Sequence, residues 1–211
     1  MGKNITADKE AVKDMTVNKR LALISAFSAL VVVLGATRLG FISLSPTVSL
    51  TIIHIPVILA AFLAGVPGGL VTGAAFGIFS LIQAAMSPAG ALGLFFVNPL
   101  VSIVPRMLFG AAAGGLYKLC LLVPHLPRTV AATVAAFISS AVHTCLVIGA
   151  IYLFYYNDGF AAMGNRGYGL ALVLLLPHAG LEAAAAAVVC GVVIGTITLS
   201  GKKRSKLSEE K

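Results

Sequence analysis

Charge is scarce in this chain. Only 10% of its 211 residues are Asp, Glu, Lys or Arg, against roughly 25% in a soluble domain, and 59% are hydrophobic. That shortage excludes an ordinary soluble globule, and the apolar runs approach the ~20 residues needed to cross a bilayer. Cysteine is also sparse. Cys120, Cys145 and Cys190 are an odd number set in apolar stretches without metal-site spacing, so they read as packing residues rather than disulfides or ligands. Chemical signatures are missing as well: there is no H-E-x-x-H, no G-x-S-x-G and no paired-aspartate motif. Without G-x-x-x-x-G-K-[ST] the chain has no P-loop through which to use ATP. No inverted repeat of the secondary-transporter kind is visible. A membrane protein without a catalytic constellation is expected, with no cofactor and no metal.

The few charges that are present are unevenly placed. The net charge is +8, and twelve of the fifteen Lys and Arg fall in the two tails and in the region 118–128. Arg38 and Arg166 fall in the opposite loops, and Arg106 falls inside an apolar span. This is the pattern of the positive-inside rule rather than of nucleic-acid binding. It predicts an all-α integral membrane protein with six transmembrane helices and both termini cytoplasmic. The expected spans are about 21–36, 50–64, 69–85, 95–118, 129–153 and 170–199, forming one membrane domain over 21–200. Polar tails occupy 1–20 and 201–211. The first tail is long and part acidic for the n-region of a cleaved signal peptide, and no good A-x-A site follows the first apolar run. Gly65-Val66-Pro67-Gly68 is expected to turn an antiparallel hairpin between spans 2 and 3. Tyr152, Phe154, Tyr155 and Tyr156 mark an interface.

Small residues recur at helix-contact spacing in Gly69/Gly73/Gly77, Gly110/Gly114 and Gly191/Gly195, a pattern that brings helices close in lipid. Ala22, Ser25, Ala26 and Ala29 form a further stripe on span 1, either an internal seam or a landing surface for another membrane subunit. The ionisable residues inside spans are His54, Arg106, His143, His178 and Glu182. Counted at ~1.5 Å per residue, they lie in the outer half of the bilayer or near its middle, with Glu182 one turn deeper than His178. Several helices reaching one level is what a solute cavity requires. Two readings stay open for the charged pair. Arg106 and Glu182 either lock spans 4 and 6 together, or Arg106 faces a substrate anion while Glu182 orients it. His54 either lines the pocket or bonds a carbonyl freed by Pro56. His178 and Glu182 lack a third partner for a metal. Pro99, Pro105 and Pro177 each remove a helical hydrogen bond, which membranes tolerate where backbone lines a cavity. A pocket without an engine suggests a binding subunit that works with partners.

Three segments carry a resemblance. They are Ser45-Pro46-Thr47-Val48-Ser49-Leu50-Thr51-Ile52-Ile53-His54-Ile55-Pro56-Val57-Ile58, Gly73-Ala74-Ala75-Phe76-Gly77-Ile78-Phe79-Ser80-Leu81-Ile82-Gln83, and Phe95-Phe96-Val97-Asn98-Pro99-Leu100-Val101-Ser102-Ile103-Val104-Pro105-Arg106. They resemble the substrate-binding S components of energy-coupling factor (ECF) vitamin transporters, and within these the pantothenate-type branch. The likeness covers spans 1–4, while spans 5 and 6 match in hydropathy and length. It implies a subunit of the bacterial cell membrane, surrounded by lipid, that captures a vitamin outside. Delivery would go through one transmembrane coupling protein and two cytoplasmic ATPases, with Ala22 and Ala26 as the docking positions. Such a subunit topples in the membrane to move its pocket inward. For pantothenate, Arg106 is the expected partner of the carboxylate. Asn98, Gln83, His54 and His178 are further polar partners, and Asn157 or Asn165 would close the lid. The rival expectations are an S component for another small carboxylate-bearing vitamin or metabolite, a stand-alone solute carrier, and a membrane enzyme or scaffold.

Overall fold

A computed structural model describes residues 16–37, 39–45, 48–87, 94–155 and 168–209, with backbone alone in 41–50, 168–178 and 202–209. Most of the N-terminal tail, Arg38, Pro46, the loop carrying Asn157, Asn165 and Arg166, and the side chains of Pro177 and His178 lie outside the described residues. The elements in chain order are α1 (Val17–Ala36), strands β1 (Phe41–Ser45) and β2 (Val48–Thr51), α2 (His54–Met86), a 3-10 turn (Leu94–Val97), α3 (Pro99–Leu121), α4 (Arg128–Phe154) and α5 (Tyr168–Glu209). Among the described residues five helices are long and apolar enough to cross a membrane.

The all-helical expectation holds for the body and needs one correction outside it. The segment expected as a loop running into span 2 is an antiparallel hairpin in which Phe41 pairs Thr51 and Ser43 pairs Ser49, with an irregularity between Ser43 and Ser45. Ile-Ser-Leu-Ser of β1 and Val-Ser-Leu-Thr of β2 alternate apolar and hydroxyl residues with period two, which suits a strand and not a helix. Gly40 closes the base: its N–H donates to the Leu34 carbonyl and its own carbonyl accepts from Ile52, both at 2.9 Å. Helix α2 therefore starts at His54 rather than near Leu50.

Spans 2 and 3 form one helical element broken at Gly65, whose φ of 75° and ψ of −172° are not helical. Glycine alone takes that left-handed φ without a Cβ penalty. The chain folds back there. The rings of His54 and Phe76 each lie 5.8 Å from the ring of His143, although an unbroken helix would hold residues 54 and 76 roughly 33 Å apart. Residues 54–64 are buried except for the partly buried Leu63. This limb is only about 16 Å long, and it is sheathed by protein rather than lipid.

The second limb, 66–86, lies against α3 along a seam of glycines. A Cβ at Gly69 would meet the Gly110 carbonyl, one at Gly73 the Arg106 carbonyl, and one at Gly77 the Ile103 Cα; Gly114 abuts Val66. As one partner's number rises by three or four the other's falls by three or four, so the two helices run antiparallel with backbones in contact. Gly191 and Gly195 of α5 likewise pack on Thr133 and Thr129 of α4. Elsewhere the core is filled by Val57, Ile58 and Phe62 of the buried limb, Phe109 and Ala113 of α3, Ala131, Ala132, Ala135 and Ala136 of α4, and Ala186 and Cys190 of α5. Outward faces stay apolar: Val71, Ile78, Leu100, Val104, Leu108, Val188 and Val192 are exposed, which water would penalise and lipid does not. On α1, Ile24, Val31 and Gly35 face inward, while Ala22, Ser25, Ala26 and Ala29 are exposed. Among the described residues nothing covers that stripe. At the far end α5 runs beyond the expected limit of Leu199, through the basic segment to Glu209.

The glycine seam has a measurable consequence. Gly69→Leu is expected to destabilise the protein by at least about 2 kcal/mol, the cost of overpacking where backbone must move. Gly115→Ala meets nothing within 4 Å and should leave the detergent-solubilised protein's thermal midpoint unchanged or slightly raised. Equal midpoints for the two variants would refute the seam.

Candidate functional site

Proline sets the geometry at Arg106. Pro105 has no N–H, so the carbonyl four residues back, Val101, loses its helical donor. Arg106 supplies the replacement: its Nη1 donates to the Val101 carbonyl at 2.7 Å. The side chain is 4% exposed, and its guanidinium carbon lies 4.5 Å from the centroid of the Phe96 ring and 5.7 Å from that of Phe76. Cation–π attraction at a desolvated site is worth up to about 2 kcal/mol, a fraction of what burying a full charge costs. Nε is buried without a hydrogen-bond partner, and no carboxylate stands at ion-pair distance among the described residues.

Glu182, the expected alternative partner, is engaged elsewhere. Its Oε1 accepts the backbone N–H of Thr51 at 2.7 Å. The end of β2 is thereby tied to α5, and an edge amide of the hairpin is satisfied inside an apolar surround. Through that bond Glu182 is tied to the residue three positions before His54.

His54 is fully buried. The carbonyl that Pro56 frees, that of Ile52, accepts the Ile55 N–H at 3.1 Å, so the imidazole does not serve it. His54 Nε2 instead shares a hydrogen bond of 3.3 Å with Ser140 Oγ. The Thr51 backbone lies beside the ring, but Nδ1 closes no hydrogen bond of good geometry. His143, one turn beyond Ser140 on α4, stacks on His54 with planes 11° apart. It also packs against Phe109 at 4.7 Å and Phe76 at 5.8 Å. Its Nε2 is buried and unpartnered.

Arg106, His54 and His143 thus belong to one cluster, joined through Phe76, Phe96, Phe109 and Ser140. Asn98 is spent partly on structure: it caps α3, with Oδ1 accepting the Leu100 N–H at 3.0 Å, and its neighbour Phe96 faces the guanidinium. Gln83 is half-buried, seven residues beyond Phe76 and so on the same face of α2, with no side-chain hydrogen bond among the described residues. His178 is on α5, its side chain outside the described residues. Phe76, Phe96, Phe109 and Ser140 are site members that residue chemistry alone did not single out. One signal was present: Ser139-Ser140 is a hydroxyl pair three residues before His143 in an otherwise apolar run. The arrangement offers a fixed cation edge and imidazole nitrogens on an aromatic wall, which suits binding a small anion with polar substituents.

A family model for the ECF transporter, substrate-specific component, matches residues 19–194. This chain belongs to that family. No curated protein matches it. As an ECF substrate-specific component it is a substrate-binding transport subunit, not an enzyme, and a multi-pass membrane protein. The match runs from the start of α1 into the last turns of the apolar part of α5, so the cluster around Arg106 lies inside the family domain.

Removing the hydroxyl in Ser140→Ala leaves His54 Nε2 buried without its partner. A loss of about 1–3 kcal/mol is expected, read as a lowered thermal midpoint of the ligand-free protein in detergent. An unchanged midpoint would show that the bond contributes nothing.

Proposed function

We propose that this ECF substrate-specific component binds pantothenate and passes it to a module of one transmembrane coupling protein and two cytoplasmic ATPases in a bacterial plasma membrane. The observation that carries the reading is Arg106, a buried cation with no carboxylate beside it among the described residues. Arg106 is buried against a carbonyl and aromatic rings, and a charge so placed is stabilised fully only when an anion arrives. With Nη1 engaged by Val101, the Nε–Nη2 edge remains, and that edge matches the two oxygens of a carboxylate. Pantothenate supplies one carboxylate, an amide and two hydroxyls, and the segments around His54, Gln83 and Arg106 resemble the pantothenate-type branch. His54, His143, Gln83, Asn98, His178 and Glu182 are the polar groups proposed to surround it.

In this reading the two limbs of α2 count as separate passes, giving six limbs, and the basic tails place both termini in the cytoplasm. The exposed stripe around Ala22 and Ala26 faces the coupling protein, where small side chains allow helices to approach closely.

Detergent-purified protein should carry pantothenate detectable by mass spectrometry, and Arg106→Met should weaken pantothenate binding about 100-fold or more. Wild-type affinity in that variant would end the assignment. Ala22→Leu combined with Ala26→Leu should preserve vitamin affinity yet abolish ATP-dependent uptake by the assembled complex in liposomes. Uptake by the chain alone, without ATP, would favour a stand-alone carrier instead.

A further inference from the structure

We infer that His143 reads the hydroxylated end of the substrate, opposite the carboxylate end at Arg106. This rests on the pantothenate reading above and assigns the second pole of the same site.

The described residues hold six buried side-chain nitrogen and oxygen atoms without a hydrogen-bond partner, and three of them, Arg106 Nε, His54 Nδ1 and His143 Nε2, fall in the one aromatic cluster. The other three, on Arg20, Ser28 and Thr72, belong to α1 and to the second limb of α2. A buried polar atom left unpaired is costly, and apolar neighbours cannot relieve it. Two such atoms on the Phe76 ring's immediate neighbours mark places where a ligand's polar atoms complete the bonding. Phe76 contacts both the Arg106 guanidinium and the His143 ring, so both poles border the same phenyl ring.

The two histidines are not equivalent. His54 is wholly enclosed and its Nε2 is already shared with Ser140. It acts as a positioning residue, holding the His143 ring by stacking. His143 is only partly enclosed, and Phe109 and Phe76 fix its plane. A neutral imidazole nitrogen donates or accepts according to tautomer, which suits a hydroxyl. The aromatic wall suits the single dimethyl-bearing carbon that lies between the two hydroxyls.

The test compares two ligands by isothermal titration in detergent: pantothenate and N-(3,3-dimethylbutanoyl)-β-alanine, which keeps the carboxylate, amide and carbon skeleton but lacks both hydroxyls. Wild-type protein is expected to prefer pantothenate by about tenfold or more, since a site built to bond a hydroxyl rejects the analogue without it. His143→Phe keeps the ring stack and removes the nitrogens, and it should bind the two ligands within about twofold of each other. His143→Gln should restore part of the preference, and Arg106→Met should weaken both ligands alike. If His143→Phe does not purify folded, His143→Leu supplies the same comparison. Full discrimination retained in the His143 variant, or none in wild-type protein, overturns the inference and leaves the pantothenate reading standing. Binding of neither ligand by wild-type protein overturns both.

Discussion

The bond from Arg106 Nη1 to the Val101 carbonyl is the constraint on which the rest of the site turns. It exists because Pro105 withdraws the N–H that would otherwise occupy that carbonyl. The guanidinium is thereby held along its own helix, with no acid beside it among the described residues. A carboxylate in its place would have neutralised the charge and closed the site to anions. A carbonyl leaves the charge uncancelled, and the Phe96 and Phe76 rings reduce its cost without removing its demand for a counter-ion.

That local device works only where α3 is held close to α2. The Gly73 backbone lies directly on the Arg106 carbonyl, and Gly69 and Gly77 extend the contact one turn either way. Ser102 Oγ donates to the Gly77 carbonyl at 3.0 Å across the same seam. Close backbones bring Phe76 within reach of the guanidinium, and the fold-back at Gly65 then returns His54 to the level of Phe76. The short buried limb is consequently the centre of the bundle, with α4 supplying Ser140 and His143 to its face. Glu182 completes the surround by holding the end of the hairpin against α5.

Much of this was legible in the residues. Apolar runs and the placement of basic charge indicated a multi-pass helical protein. The G-x-x-x-G steps marked the seams, and an arginine directly after Pro105, in a run opened by Asn98-Pro99, marked the candidate site. The hairpin was harder to read, because strands of five and four residues between two spans look like a connecting loop when length is the only guide. The break at Gly65 was readable from Gly-Val-Pro-Gly. That the limb before it is sheathed by protein was not, because hydropathy cannot tell a helix surrounded by side chains from one surrounded by lipid. The Phe residues were hidden for a related reason: eleven of them occur in the chain, and nothing in spacing separates those on a guanidinium from those facing lipid.

The sequence by itself determined the class of protein, the helices, the lines of close contact and the presence of a membrane-buried cation, since each follows from local composition and period. Only the tertiary structure decided which partner each buried polar group takes. Arg106 and Glu182 are far apart in sequence and equally suited to each other or to something else. The choice of Val101 for one and Thr51 for the other depends on where the hairpin and α5 come to rest. Distances of a few ångströms between elements decide such pairings, and no spacing along a single element encodes them.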